Sequence, residues 1–364
     1  MGDVSPRTYY DRQLRVPGWG LGGQEVLGKS SVLVVGVGGL GCPALASLAR
    51  SGVGSLVFCD PDVVEASNLP RQTLFRVTDV GRSKVEAAAE ALSGANPWIS
   101  LKPYPWRVDA TNVRALVEAA DLVLDGSDNF ATKFLLHDAC RAAGKPLVMA
   151  SLYQWEAQLT VFDFRRTDDG CWRCLYPEAP EDGCVGVCAD VGVAGALAGL
   201  AGNYQALFAT RLLLGLEVLA PRTTLVLEAS GATRELRWNP APACACASAR
   251  GDWAWLAGQG PLREALWDDL VPADRQVVID LREPHEILVA EWDWFRSQGC
   301  EVIASRWTQW PATQPDWQPA TSYLVVCAHG IRSLAALAIL PTGVRAQSLR
   351  GGVAGLPVVA LDQP

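Results

Sequence analysis

Between Ser31 and Gln72 the chain runs SVLVVGVGGLGCPALASLARSGVGSLVFCDPDVVEASNLPRQ, an order of residue types that restricts the fold more than any other stretch. An apolar strand, Val32 to Val35, runs into Gly36, Gly38, Gly39 and Gly41; a small-residue helix follows, then a second strand that ends in Asp60. This is a nucleotide-binding βαβ unit, in which glycines let the backbone approach a phosphate at a helix N-terminus and the later acid holds a ribose hydroxyl. Alone, it points to a dinucleotide. Asp62, Asn68, Arg71 and Gln72 then cluster at the mouth of the same crevice, where hydride transfer has no evident use for them, and cations there point to phosphate chemistry.

From Ser31 to about Val161, apolar strands alternate with helical segments: VLVVG, LVFCD, a helix from Ser83 to Leu92, LVLDGSDN and PLVMAS. The expected fold is α/β, a doubly wound, mostly parallel sheet with its ligand crevice at the C-terminal strand ends. A long small-residue helix is expected within Val191 to Ala220, followed by a hairpin around TLVLEAS and TRELRWN. Pro-, Ala- and Gly-rich sequence around residues 250–261 reads as a linker between a first domain, 1–249, and a second, 262–364.

Further residues fall at the same crevice. Lys84 starts the helix after the cluster, and Asp128 with Asn129 follows the strand LVLDG. Mg²⁺ bridging phosphates takes one or two carboxylates, which makes Asp128 a ligand candidate, while Arg71 and Lys84 would neutralise a polyphosphate. The plain alternatives are that Asp128-Asn129 caps the helix from Phe130 and that Lys84 is a solvated surface residue.

Taken together, YDRQ (10–13), GVGGLG (36–41), CDPD (59–62), SNLPRQ (67–72), GRSKVE (81–86) and SDN (127–129) resemble the adenylating enzymes related to ubiquitin-activating enzyme, above all the MoeB and ThiF type. That family joins AMP to the C-terminal glycine carboxylate of a small ubiquitin-like carrier. The resemblance implies that Gly39, Asp60, Asn68, Arg71, Lys84 and Asp128 bind ATP and Mg²⁺, and that Arg12 reaches across a homodimer to the phosphates. The chemistry is consistent: a terminal carboxylate with a pKa of ~3.5 is already an anion at neutral pH, so its attack on phosphorus needs no general base.

The eleven cysteines divide into sets. Cys171 and Cys174 form CWRC, and Cys244 and Cys246 form CAC; two close thiolate pairs separated by a long loop are the signature of a closed, structural Zn²⁺ site. The related family has two residues inside each pair, whereas CAC has one. Cys188 falls at that family's reactive-cysteine position, where some members hold the carrier covalently or pass sulfur. Cys184 has no counterpart, and Cys42, Cys59, Cys140 and Cys300 read as small core residues.

In the second domain Cys327 ends the strand YLVV and opens CAHGIRS before a helix, with Arg332 close in sequence. A loop into a helix N-terminus stabilises a thiolate or persulfide anion. The loop resembles the active loop of rhodanese-type sulfurtransferases, as do VIDLREP (278–284) and SLRGG (348–352). The segment EPHEILVAEWDWFRSQGCEV stands where that family has its GHIPGA-like stretch, so a rhodanese fold used only for docking is the alternative to an active sulfur donor.

Thirty-one Lys and Arg against 39 Asp and Glu, a net charge of −8, exclude a nucleic-acid footprint. Asn203, Gln205 and Arg211 interrupt the most apolar stretch and argue against a membrane span. Without an apolar core of signal-peptide length in MGDVSPRTYYDRQ, a cytoplasmic protein is expected. The expected activity is adenylation of a carrier ending in Gly-Gly, then sulfur transfer from Cys327, charged by a persulfide donor such as a cysteine desulfurase, to give a thiocarboxylate. An NAD-dependent oxidoreductase with a structural zinc, or a non-enzymatic scaffold, are the competing classes.

Overall fold

In this computed structural model the described residues are 5–166, 170–177, 192–241, 244, 264–265, 276–287, 289–310, 312, 314–318, 321–327, 331–338, 340, 344–349 and 353. The chain divides into two compact units, Met1–Pro180 with Gly186–Gln259, and Glu181–Val185 with Gly260–Pro364.

The first unit opens with helices α1 (Pro6–Tyr10) and α2 (Gly20–Lys29), then alternates β1 (Ser31–Val35), α3 (Gly41–Ser51), β2 (Ser55–Cys59), α4 (Lys84–Ala95), β3 (Ser100–Tyr104), α5 (Val113–Glu118), β4 (Leu122–Asp125), α6 (Phe130–Ala143) and β5 (Pro146–Tyr153). Strand β6 (Glu156–Asp163), helices α7 (Trp172–Leu175) and α8 (Gly195–Leu213), and strands β7 (Thr223–Leu227) and β8 (Thr233–Arg237) complete it. The sheet order is β3-β2-β1-β4-β5-β6-β7-β8, parallel through β5 and antiparallel beyond. β1 and β4 are central, and their apolar runs are buried because helices cover both faces. Val32 and Val34 face a core with Leu45, Leu48, Phe58 and Leu197, while Leu33 and Val35 face Val123, Leu136 and Ala139.

The strand order reverses between β1 and β4, which opens a crevice at their C-terminal ends. Two glycines make its turn possible. Gly36 has φ +92°, and a Cβ there would lie 2.7 Å from Gly126 O; a Cβ on Gly41 would collide with Gly36 O. The expected helices at 83–92 and within 191–220 are present with bounds Lys84–Ala95 and Gly195–Leu213. The β5–β6 hairpin was not anticipated: its tip, YQWE, has no turn-forming glycine, and Gln154 itself adopts φ +51°.

The second unit holds β9 (Glu264–Ala265), β10 (Gln276–Asp280), α9 (Val289–Ser297), β11 (Glu301–Ala304), β12 (Ser322–Val326), α10 (Ile331–Ala338) and β13 (Arg345–Leu349). Among its described residues all pairings are parallel, in the order β11-β10-β12-β13-β9.

Candidate active site

Asp60 follows the end of β2 and is 6% exposed. Its Oδ2 accepts from Val37 N in the glycine turn at 2.7 Å, and its Oδ1 accepts from Asp62 N at 2.9 Å. The carboxylate thus holds the turn beside the helix start. Lys84, the first residue of α4, is buried, contrary to the surface alternative, because acids from other segments receive it: Nζ donates to Asp62 Oδ2 at 2.8 Å and stands 4.0 Å from Asp60 Oδ1. Burial pushes the Asp60 carboxyl above the usual carboxylate range, and Lys84 offsets only part of this. For Lys84, burial pulls downward, but Asp60, Asp62 and Asp128 outweigh it and the ammonium titrates above its ordinary value.

The short turn Ala66–Asn68 places the next set. Asn68 is buried, and its Oδ1 accepts from Glu65 N at 3.2 Å. Arg71 Nη1 donates to Ser67 O at 2.9 Å, and its stem passes over the glycine turn, with Cγ 3.6 Å from where a Gly39 Cβ would stand. Gln72, 3% exposed, has its Nε2 3.8 Å from the corresponding point on Gly38, and its buried Oε1 has no hydrogen-bond partner among the described residues. An orphaned acceptor beside a glycine cradle fits a nucleotide that brings a donor.

After β4, Asp128 is exposed, as a ligand to an incoming ion must be, and near enough to Lys84 to raise its pKa. Its neighbour Asn129 is the N-cap of α6, and its Oδ1 accepts from Thr132 N at 2.8 Å. The capping alternative therefore describes Asn129, while Asp128 keeps its carboxylate clear. Arg12 is exposed at the turn after α1; Tyr10 Oη accepts from Asn96 Nδ2 and Gln13 Nε2 donates to Ser51 O, fixing the segment on both sides of it.

Cys171, Cys174 and Cys244 converge, with Sγ separations from Cys171 of 3.8 Å to Cys174 and 3.4 Å to Cys244. All three sulfurs lie within 4.8 Å of one another, a donor set that fits a thiophilic ion such as Zn²⁺. Cys246, Cys184 and Cys188 lie outside the described residues. The knuckle is fastened to α6 by residues the sequence did not single out for this role: His137 Nε2 accepts from Trp172 N at 3.1 Å, and Asp138 receives Arg173 on both oxygens. Burial keeps His137 below its usual pKa. Cys42, Cys59, Cys140 and Cys300 are core residues; burial pushes the Cys42 and Cys59 thiols up to about 12, so they stay protonated.

In the second unit Cys327 follows β12 and is 1% exposed, with Sγ 3.5 Å from Ser333 Oγ, which in turn stands 2.7 Å from Ser348 Oγ. Arg332 is not a lone charge beside the thiol: both of its terminal nitrogens donate to Glu286, Nη1 at 2.8 Å to Oε2. Glu286 belongs to the segment that replaces the expected GHIPGA-like stretch.

These features define a class: a nucleotide-binding α/β enzyme with a cationic crevice, a cysteine knuckle and a separate thiol-bearing unit. The ThiF family profile matches residues 10–247. The SAMP-activating enzyme E1 of Haloferax volcanii is 47% identical over 212 residues, 58% of this chain and 77% of that protein. The probable adenylyltransferase/sulfurtransferase MoeZ of Mycobacterium tuberculosis is 35% identical over 365 residues, 94% of this chain and 91% of its own length. Among solved structures, E. coli MccB with ATP superimposes with a TM-score of 0.58 at 20% identity, covering 68% of this chain and 75% of that one, a likeness of fold. The chain belongs to the ThiF family. It is an enzyme, and this assignment sets aside both the oxidoreductase and the scaffold alternatives. Among the described residues no helix is long and apolar enough to cross a membrane.

Proposed function

We propose that this chain joins AMP from ATP to the C-terminal glycine carboxylate of a ubiquitin-like sulfur carrier ending in Gly-Gly, and then exchanges AMP for sulfur carried on Cys327. The observation that carries this is the buried Asp60–Lys84 pair beside the glycine turn, in a chain aligned over 94% of its length with an adenylyltransferase/sulfurtransferase. Adenylation falls to the domain at 1–249 and sulfur transfer to the domain at 262–364. Such thiol chemistry suits the reducing cytoplasm.

In the first step a carboxylate oxygen bonds to the α-phosphorus while the bond from that phosphorus to the β-phosphate oxygen breaks, releasing pyrophosphate. The nucleophile is already ionised, so the protein positions and neutralises rather than abstracts a proton. Asp60 holds the ribose and the glycine turn, Arg71 and Lys84 meet the phosphates, Gln72 and Asn68 border them, and Arg12 of a second copy completes the charge. Asp128, with Asn129 shaping its turn, would hold Mg²⁺, which would supply charge neutralisation to the nucleotide. In the second step the outer sulfur of a Cys327 persulfide attacks the acyl carbon and expels AMP. A second thiol then opens the acyl disulfide, releasing the thiocarboxylate and leaving a disulfide to be reduced. Cys188 is the residue assigned to hold the carrier in passing, and a persulfide donor recharges Cys327.

Asp128→Ala should abolish ATP–pyrophosphate exchange in a folded protein, and mixing it with Arg12→Ala should restore part of it through hybrid dimers. Cys327→Ala should leave exchange intact and end thiocarboxylate formation, read as the loss of a gain of about 16 Da on the carrier when sulfur replaces oxygen. Exchange at the wild-type rate in Asp128→Ala refutes the adenylation site, and undiminished thiocarboxylate from Cys327→Ala makes the second domain a docking module.

A further inference from the structure

Beneath the crevice lies a buried charge pair that the adenylation chemistry does not use. Asp125, the last residue of β4, is fully buried; its Oδ2 accepts from Lys133 Nζ at 2.8 Å, and its Oδ1 accepts from Ser127 N at 3.0 Å and from Ser127 Oγ at 2.5 Å. Lys133, 5% exposed in the first turn of α6, also donates to Ala150 O on β5 at 2.7 Å. From the other side Gln205 Nε2 on α8 donates to Asp125 O at 2.7 Å. One cation therefore ties together the end of β4, the middle of β5 and the start of α6.

Stability alone is a poor reason for such a pair, since two buried charges cost desolvation and apolar residues of similar volume usually replace them without loss. What the pair does geometrically is close the turn between β4 and α6 from below. Ser127 is bonded back to Asp125, Asn129 is bonded forward to Thr132, and Gly126 packs against Gly36, whose Cβ would lie 2.7 Å from Gly126 O. The residue between these fixed points is Asp128, whose backbone position is set by its neighbours while its side chain stays exposed. We infer that Lys133, acting through Asp125 and Ser127, is a positioning residue that presents Asp128 to the divalent cation of the nucleotide. This rests on the role proposed above for Asp128. Groups that orient a metal ligand typically govern cation affinity by about 10–100-fold, although they never touch the ion.

The test measures binding, not turnover. ATP affinity is measured by calorimetry with and without Mg²⁺ for the full chain, for Lys133→Arg, and for the double variant Asp125→Asn/Lys133→Met, which leaves no unpaired buried charge and so keeps the fold accessible. The wild type should bind ATP more tightly with Mg²⁺. The double variant should keep its Mg²⁺-free affinity while the Mg²⁺ gain falls by about tenfold or more, and Lys133→Arg should retain the gain. Ser127→Ala, which removes one donor to Asp125 at little cost to the core, should lose part of the gain and exchange its local backbone amides faster. An undiminished Mg²⁺ gain in both the double variant and Ser127→Ala overturns the positioning role. Absence of any Mg²⁺ gain in the wild type, or its survival in Asp128→Ala, instead removes the assigned role of Asp128 and the inference with it.

Discussion

Each unit ends a central strand in a fully buried aspartate, Asp125 on β4 and Asp280 on β10, and each carboxylate accepts from the backbone N–H two residues on, at 3.0 Å. The cations differ. Asp280 is paired within its own turn, by Arg282 two residues away, with Trp292 Nε1 added at 2.8 Å. Asp125 takes its lysine from a helix, eight residues on, and that lysine reaches a third element. A pair closed inside one turn stiffens that turn alone, whereas a pair spanning three elements transmits the position of one to another. The first unit also carries the cysteine knuckle, pinned to α6 by His137 and Asp138, so α6 is held at its first turn by Lys133 and further along by the knuckle. The second unit has no such group of metal-binding side chains among its described residues.

The sharpest way to break this contrast is to remove the metal proposed for the knuckle. Structural zinc contributes ~10 kcal/mol or more in the smallest sites, and part of that is expected here because the core already orders the surroundings. Chelation or Cys174→Ser should lower the unfolding temperature of the first unit, by about 6–12 °C for a loss of ~3 kcal/mol, while leaving the second unit's transition in place. Freshly purified protein without about one zinc per chain would refute the site. The converse experiment is Arg282→Met, which leaves Asp280 as an unpaired buried charge at a cost of ~3–5 kcal/mol. Calorimetry should record this in the second unit alone, with ATP–pyrophosphate exchange unchanged; lost exchange would mean the units do not fold independently.

How far the sequence foretold these features follows from the range of the interactions. The βαβ unit was legible because strand, glycines, helix and acid succeed one another without a gap, and Asp280–Arg282 lies inside the quoted motif VIDLREP. Lys133 was not, since a lysine in an amphipathic helix reads as solvated, and only the fold brings Asp125 and Ala150 O to it. Lys84 carried the same ambiguity and was recovered from its company with Asp60 and Arg71. Glu286 escaped notice because its partner Arg332 is 46 residues away. The β5–β6 hairpin escaped because Gln154 takes a left-handed turn that glycine or asparagine usually marks. The cysteine knuckle was legible as pairs, but its anchoring by His137 and Asp138 depended on packing against α6.

The smallest expected effect distinguishes the units by pH. Arg332 above all, against the opposing effect of burial, holds the Glu286 carboxyl below its ordinary value of 4.5, so its contribution is present above that value and lost as pH falls through the lower folded one. Lys84 behaves in the opposite sense: with its pKa raised above 10.5, its contribution is complete below that value and lost only as pH rises through the folded one. Acid therefore tests the Glu286–Arg332 pair, and alkali tests the contribution of Lys84. Glu286 and Arg332 are both partly exposed, which limits the effect to below about 1 kcal/mol. The stability difference between wild type and Glu286→Gln, followed in the second unit's transition from about pH 6 down to pH 3.5, should narrow as the wild-type carboxyl takes up its proton. A double-mutant cycle with Arg332→Gln should assign that narrowing to the pair, because the coupling energy of the cycle falls to zero once Glu286 is neutral. A gap that stays constant across this range would mean that Glu286 does not pair with Arg332 in solution, leaving the guanidinium beside Cys327 without its counter-charge.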